Sequence, residues 1–312
     1  MLPVCIPSYK NREITKKLFS QLSTFDDVYL FVYDFDYKES GYDKLELPSN
    51  VKVVQINIER DFKKYNVKRT DLSTKRCFIF DYMTSLGIDT YISIDDDCGD
   101  QHFIRENDKL EKVELKTFID KMYEKILTLD KWCIVSPFVF LSRTEIRKKY
   151  KADFIYDYAW EGSVMFINRK VLSKNNVKHV PLTSSDIAFN ISCLKKGLTP
   201  LVINNFYTVA FQTDQEHSTL SEKHKREVMF TFKYFPEDSS IWSWYNTENI
   251  GSYGKYYLDV LNGETKLDKK MQKIYEYALN EDLDNFIKSA KEYVFSKKHK
   301  KINTSKEVNE EW

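Results

Sequence analysis

The sequence predicts an α/β fold, a mostly parallel sheet flanked by helices, followed by a helical C-terminal extension. Two observations carry that expectation. Short apolar runs rich in β-branched residues alternate with longer helical patterns through the first two thirds of the chain, the mark of repeated βαβ units. After about Phe211 the alternation stops, and helical and aromatic segments take over. At 312 residues the chain is long enough for one large domain with an appendage and for a sizeable buried core. We divide it into a main domain, 1–220, and an extension, 221–312; no internal repeat or low-complexity linker separates two independent domains.

The expected strands are Leu2 to Ile6, Val28 to Tyr33, Val51 to Ile58, Thr90 to Ile94, Trp132 to Ser136, Ser163 to Asn168 and Pro200 to Ile203. Between them, Glu13 to Leu22, Asp71 to Leu86, Leu110 to Leu129 and Asp186 to Lys196 read as amphipathic helices. The third is the clearest, since Leu115, Phe118, Ile119, Met122, Ile126 and Leu129 recur at helical spacing. In the extension, Ser221 to Phe235 reads as a helix, and Leu283, Phe286, Ile287, Ala290 and Val294 form one face of a closing helix.

Composition excludes several classes of protein. Lys and Arg number 48 against 47 Asp and Glu, so the chain does not capture nucleic acid or membrane by bulk charge, although a local basic face remains open to it. No long apolar run suggests a signal peptide or membrane span, and we expect a soluble, cytoplasmic protein. Five scattered cysteines without a CxxC pair argue against a disulfide framework or a cysteine-rich zinc site. Tyrosine and phenylalanine are abundant, glycine is scarce and Lys outnumbers Arg, a bias that suggests an AT-rich coding genome such as those of many phages.

The most informative stretch is Thr90-Tyr-Ile-Ser-Ile-Asp-Asp-Asp-Cys-Gly-Asp100. A strand short enough to sit inside a parallel sheet ends in Asp95, Asp96 and Asp97, and the carboxyl ends of such strands face the ligand crevice. Three adjacent carboxylates repel one another unless a cation or a hydrogen-bond network neutralises them. Oxygen-only ligands suit Mg²⁺ or Mn²⁺, with substrate phosphates filling the remaining positions. Alternation along an extended chain makes Asp95 and Asp97 the metal pair and turns Asp96 elsewhere. A solvated acidic turn is the competing reading.

Four segments, in order, resemble the nucleotide-sugar-dependent glycosyltransferases of the GT-A (Rossmann-like) fold. Ile6-Pro-Ser-Tyr-Lys-Asn-Arg12 looks like that family's first strand and loop. Ser73-Thr-Lys-Arg76, with Ser85 through Asp97, resembles its basic helix and DxD motif. Glu161-Gly-Ser-Val-Met-Phe-Ile-Asn-Arg-Lys-Val171 resembles its acceptor loop and strand, and Ser184-Ser-Asp-Ile-Ala-Phe-Asn190 the segment carrying its acidic base. Together they cover roughly residues 1–220. A phosphatase of the haloacid dehalogenase type also ends a strand in Asp-x-Asp. Here, however, Cys98-Gly99 follows, and the motif lies far from the N-terminus.

The resemblance implies a metal-dependent transferase that moves a sugar from a nucleoside diphosphate sugar, by family expectation a UDP-sugar, to an acceptor hydroxyl. Asp95 and Asp97 would hold Mn²⁺ or Mg²⁺, with His217 as a third ligand or else an ordinary surface histidine. Pro7, Tyr9, Arg12, Arg69, Arg76, Asp95 and Asp96 would bind the nucleotide sugar, while a solvated helix face accounts for most other basic residues between Arg60 and Arg76. Asp186 would be the general base and the reaction inverting, although Ser184-Ser185-Asp186 is also ordinary helix capping and Ser185 departs from the family's usual Glu-Asp. Trp160, Glu161 and Gly162 would line the acceptor or donor-sugar pocket, with core packing as the other reading of Trp160.

Trp242 and Trp244 lie on one side of an extended segment and could stack on a sugar or nucleobase, or belong to the core. Lys288, Lys291, Lys297, Lys298, Lys300 and Lys301 make a basic patch that a solvated terminus explains and that a DNA acceptor would use. Some phage enzymes resembling this family glycosylate hydroxymethylated pyrimidines in DNA, and that acceptor is the specific expectation, which would place the protein in the host cytoplasm. The alternatives are polysaccharide, glycolipid or protein acceptors and, from another class, a non-enzymatic nucleic-acid-binding or interaction protein with structural carboxylates.

Overall fold

The computed structural model describes residues 2–10, 13–65, 72–98, 101–139, 153–155, 164–179, 189–190, 192–193 and 196–209, and positions 273, 274, 276, 277, 280, 282, 284–286, 288 and 289. The chain divides into two compact units, Met1–Thr213 and Asp214–Trp312. In the second, most of the described positions are helical, and Ile274 and Phe286 are buried.

The first unit is built on one sheet. Its strands are β1 (Val4–Pro7), β2 (Val28–Tyr33), β3 (Val51–Ile56), β4 (Thr90–Ile94), β5 (His102–Glu106), β6 (Lys109–Lys112), β7 (Ile134–Val139), β8 (Phe154–Ile155), β9 (Val164–Asn168) and β10 (Leu201–Thr208). They lie in the order β3-β2-β1-β4-β9-β7-β10-β5-β6, with β8 paired to β10 off that path. Strands β1, β2, β3, β4, β6, β7 and β10 run one way; β5, β8 and β9 run the other. The α/β class with a mostly parallel sheet is therefore the observed one.

Apolar residues cover both faces, as a sheet sandwiched by helices requires. Along β2, Val28, Leu30 and Val32 join one core, while Tyr29, Phe31 and Tyr33 join the other. The first core is closed by α1 (Glu13–Phe19) and α5 (Leu115–Ile126), the second by α4 (Leu72–Ser85) and α6 (Arg169–Lys174). Two short helices, α2 (Asp34–Glu39) and α3 (Ile58–Asp61), follow β2 and β3. Among the described residues no helix is long and apolar enough to cross a membrane.

Strands β2 and β4 fall on the residues expected from the sequence. The segment before α5 does not: Lys109–Lys112 pairs antiparallel with β5 in a hairpin, and the helix begins only at Leu115. Its two-residue loop is Asn107-Asp108, both at positive φ (49° and 61°), the conformation of a type I′ turn. Leu110 is exposed on this edge strand, whereas Leu115, Phe118, Ile119, Met122 and Ile126 form the buried face of α5.

Chain order creates a crevice. From β1 the chain moves outward to β2 and β3, then crosses back to place β4 on the other side of β1. Such a reversal leaves an opening beyond the carboxyl ends of β1 and β4, where ligands of open α/β sheets bind.

Candidate active site

Three elements converge at that opening: the loop Ser8-Tyr9-Lys10 after β1, the carboxylates after β4, and the first turn of α4. The backbone of the loop is held by charged side chains from elsewhere. Tyr9 N–H donates to Asp96 Oδ2 at 3.0 Å, Lys10 N–H to Asp36 Oδ2 at 3.0 Å, and the Ser8 carbonyl accepts from Lys75 Nζ at 2.6 Å. Ser8 Oγ also donates to Asp96 Oδ2 at 2.9 Å, and it lies 2.7 Å from the Tyr42 hydroxyl. Because the single Ser8 proton points at a carboxylate, which only accepts, Tyr42 is the donor in that second bond. Lys10 takes a left-handed backbone with φ 65°, a conformation side-chain-bearing residues ordinarily avoid.

Asp95 and Asp96 are each 7 % exposed, and Asp97 is half-buried, the most accessible of the triplet. Strand geometry ends at Ile94. Residues 96 and 97 form a turn closed by Cys98 N–H donating to the Asp95 carbonyl at 3.1 Å, so extended-chain alternation does not set the directions of Asp95 and Asp97. Repulsion within the triplet is relieved by protein cations. Arg76 Nη2 donates to both Asp95 oxygens at 2.8 Å, and Lys75 faces Asp96 and Asp36. Burial pulls the Lys75 pKa down to about 8, opposed by the charges of Asp96 and Asp36, and its ammonium lies 3.9 Å from the Tyr33 ring centroid.

Neighbouring groups fix the surroundings. His179 stacks on Phe189 with centroids 3.8 Å apart. Burial, then the charge of Arg76, holds its pKa well below the usual histidine value, so it is neutral at pH 7. The Cys98 thiol lies 3.5 Å from Thr208 Oγ1, and burial raises its pKa to about 12. An aromatic series runs along the rim: Tyr9 meets Tyr33 edge-on at 6.1 Å, and Tyr33 stacks on Phe35 at 5.4 Å. Tyr9 and Phe35 are exposed.

Of the residues the sequence singles out, Pro7, Tyr9, Arg76, Asp95, Asp96 and Asp97 come together in this crevice. Arg12, Arg69, Asp100, Trp160, Glu161, Gly162, Asp186, His217, Trp242 and Trp244 lie outside the described residues. Among the described residues no group of three or more His, Cys, Asp or Glu side chains is arranged to hold a metal ion. The solvated helix face expected for most of the basic run is corrected at Lys75, which is 2 % exposed; Arg76, singled out from the sequence, is likewise buried at 6 %. Lys75, Asp36 and Tyr42 are site residues that sequence reasoning missed. For Lys75 the signal was its place beside Arg76 in a helical turn, Ser73-Thr-Lys-Arg76, that carries no apolar side chain. Arg60, Asp61, Lys63, Lys64 and Phe78 line a separate groove to which no crevice residue contributes.

No family model and no curated protein sequence matches the chain. Solved structures that resemble it include a mannosyltransferase from Pyrobaculum calidifontis in complex with GDP-Man and Mn²⁺, 10 % identical, covering 89 % of this chain and 73 % of that one with a TM-score of 0.45. A 4-diphosphocytidyl-2C-methyl-D-erythritol synthase from Anaerococcus prevotii is 12 % identical over 69 % of this chain and 92 % of its own, with a TM-score of 0.37. Mouse xyloside xylosyltransferase 1 is 13 % identical over 55 % and 68 %, with a TM-score of 0.29.

Proposed function

We propose that this chain is a metal-dependent glycosyltransferase that moves a sugar from a nucleoside diphosphate sugar to an acceptor hydroxyl. One observation carries the reading. Three consecutive carboxylates follow a buried strand at the crevice where the sheet order reverses, and one of them, Asp96, binds the loop after β1 through Ser8 Oγ and the Tyr9 N–H. Nucleoside diphosphates bind at such switch points.

The donor set fits a hard cation. Asp97, the most accessible of the triplet, offers carboxylate oxygen, and Mg²⁺ or Mn²⁺ takes one or two carboxylates with phosphate oxygens completing its shell. Asp97 holds the ion in this proposal, with Asp95 beside it under the control of Arg76, and His217 as the third ligand. When bound, the ion stabilises the negative charge of the departing diphosphate. Pro7, Tyr9, Arg12 and Arg69 bind the donor, which we take to be a UDP-sugar. Trp160, Glu161, Gly162, Trp242 and Trp244 form the acceptor side. Asp186 accepts the acceptor's proton, which gives inversion at the anomeric carbon. For the acceptor we propose a hydroxymethylated pyrimidine in DNA, supported by the lysines from Lys288 to Lys301.

The test is a thermal-shift panel of UDP, GDP, CDP and ADP with and without Mn²⁺. Stabilisation by one diphosphate that requires the metal and disappears in Asp97→Ala is the expected result; no response to any of them overturns the reading. Transfer to hydroxymethylated DNA, polysaccharide and protein then separates the acceptors, and steep inhibition by salt is expected with DNA alone.

A further inference from the structure

We infer that Lys75 is a positioning residue of the donor site, a buried side chain that fixes the Ser8–Lys10 backbone against which the donor binds; this rests on the donor reading above. Three consecutive residues of that loop are each held through a main-chain group by a charged side chain from a different part of the fold. Lys75 of α4 takes the Ser8 carbonyl, Asp96 after β4 takes the Tyr9 N–H, and Asp36 of α2 takes the Lys10 N–H. Asp36 is itself 2 % exposed and accepts a further hydrogen bond from the Ser40 hydroxyl.

Lys75 is the common counter-cation in this arrangement. Both Asp96 and Asp36 act on its ammonium, so one positive charge is shared by two buried carboxylates, each of which receives a loop N–H. The same ammonium lies over the Tyr33 ring and within 6.0 Å of the Tyr9 ring centroid, which ties it to the aromatic rim. At 2 % exposure Lys75 is not presented to a ligand, so it acts through the loop and not by touching phosphate. Without it, Asp36 and Asp96 lose the cation that both act on. The left-handed Lys10, held by Asp36, then loses part of the support that keeps its backbone in place.

The experiment measures Mn²⁺-dependent affinity for UDP, GDP, CDP and ADP by calorimetry in the full chain, the Lys75→Met variant and the Lys75→Gln variant, with the melting temperature of each taken without ligand. Positioning predicts that folded Lys75→Met binds the diphosphate recognised by the parent chain about tenfold to a hundredfold more weakly. Lys75→Gln, which keeps a donor for the Ser8 carbonyl, is expected to lose less. A purely structural role lowers the melting temperature and leaves the affinity of folded protein unchanged. Affinity within about twofold of the parent in folded Lys75→Met, or in Lys75→Gln if the first does not fold, overturns the inference and leaves the donor reading standing. Failure of the parent chain to bind any of the four removes the donor reading and the inference with it.

Discussion

One guanidinium nitrogen of Arg76 lies 2.8 Å from each of the two carboxylate oxygens of Asp95, and neither side chain is more than 10 % exposed. The pair joins the first turn of α4 to the end of β4, so a helix on one face of the sheet fixes the start of the acidic turn. Its worth lies in the cost of breaking it. Arg76→Ala leaves an ionised carboxylate buried without its cation, and we expect a loss of about 3–5 kcal/mol in urea unfolding. The double replacement Arg76→Met with Asp95→Leu removes both charges and should lose far less; equal losses would show that the ion pair is not the cause.

Asp97→Asn is expected to separate binding from folding. The side chain is half-buried and its replacement is nearly isosteric, so the unliganded melting temperature should move little. In the parent chain, a recognised diphosphate with Mn²⁺ at about a hundred times its Kd adds about 3 kcal/mol of stability. In Asp97→Asn that increment should vanish.

Burial gives Lys75 a pH signature. Its pKa is about 8 in the folded chain, against 10.5 as the ordinary value. Below about pH 8 both states hold the proton and the group adds no slope. Between about 8 and 10.5 the folded chain has released its proton while the unfolded chain keeps it, so stability rises with pH through that window. Relative to Lys75→Met, the parent chain should gain on the order of 3 kcal/mol across the whole window. Urea titrations at pH 7.5 and 9.5 on both proteins measure it. A difference that stays flat or falls with pH contradicts the assignment.

Gly87 ends α4 in a Schellman arrangement: Ile88 N–H donates to the Met83 carbonyl and Gly87 N–H to the Thr84 carbonyl, both at 3.0 Å, with Gly87 at φ +69°. A Cβ there meets nothing within 4 Å, so Gly87→Ala tests backbone strain alone. The expected cost is about 1–2 kcal/mol, read as a lowered melting temperature.

All five cysteines are free and buried, and burial raises the pKa of Cys5 and Cys98. A thiol reagent at pH 8 should therefore label the native protein slowly and label all five rapidly in denaturant. A fast-reacting thiol in the native protein would contradict the burial of these side chains.

What the sequence revealed and what it concealed follow one physical distinction. Val28–Tyr33 and Thr90–Ile94 are legible because a strand covered on both faces is uncharged and mostly apolar, and the Asp triplet is legible because its charge follows such a strand without a break. The β5–β6 hairpin is obscured because Leu110 falls in helical register with Leu115 and Phe118, although Asn107-Asp108 carries the turn chemistry that marks it. Lys75, and the burial of Arg76 beside it, are harder to read. A cationic helical turn reads as solvated until its partners are known, and those partners, Asp96 and Asp95, arrive from the end of a neighbouring strand 21 and 19 residues later in the chain. Composition and periodicity are local; a charge pair closed through tertiary packing is not.

Strand β9 runs against both β4 and β7 and, among the described residues, joins them within the path of the sheet, through Ile92↔Phe166 and its neighbours on one side and Ile134↔Ile167 on the other. During translation, the block from β1 to β4 can pair as soon as Ile94 leaves the ribosome, which puts the acidic turn in place early. β7 then emerges with no edge of that block to dock on until Val164–Asn168 follows it. Nascent chains halted before residue 164 should therefore carry an apolar strand edge that chaperones recognise, and chains halted a few tens of residues later should have hidden it.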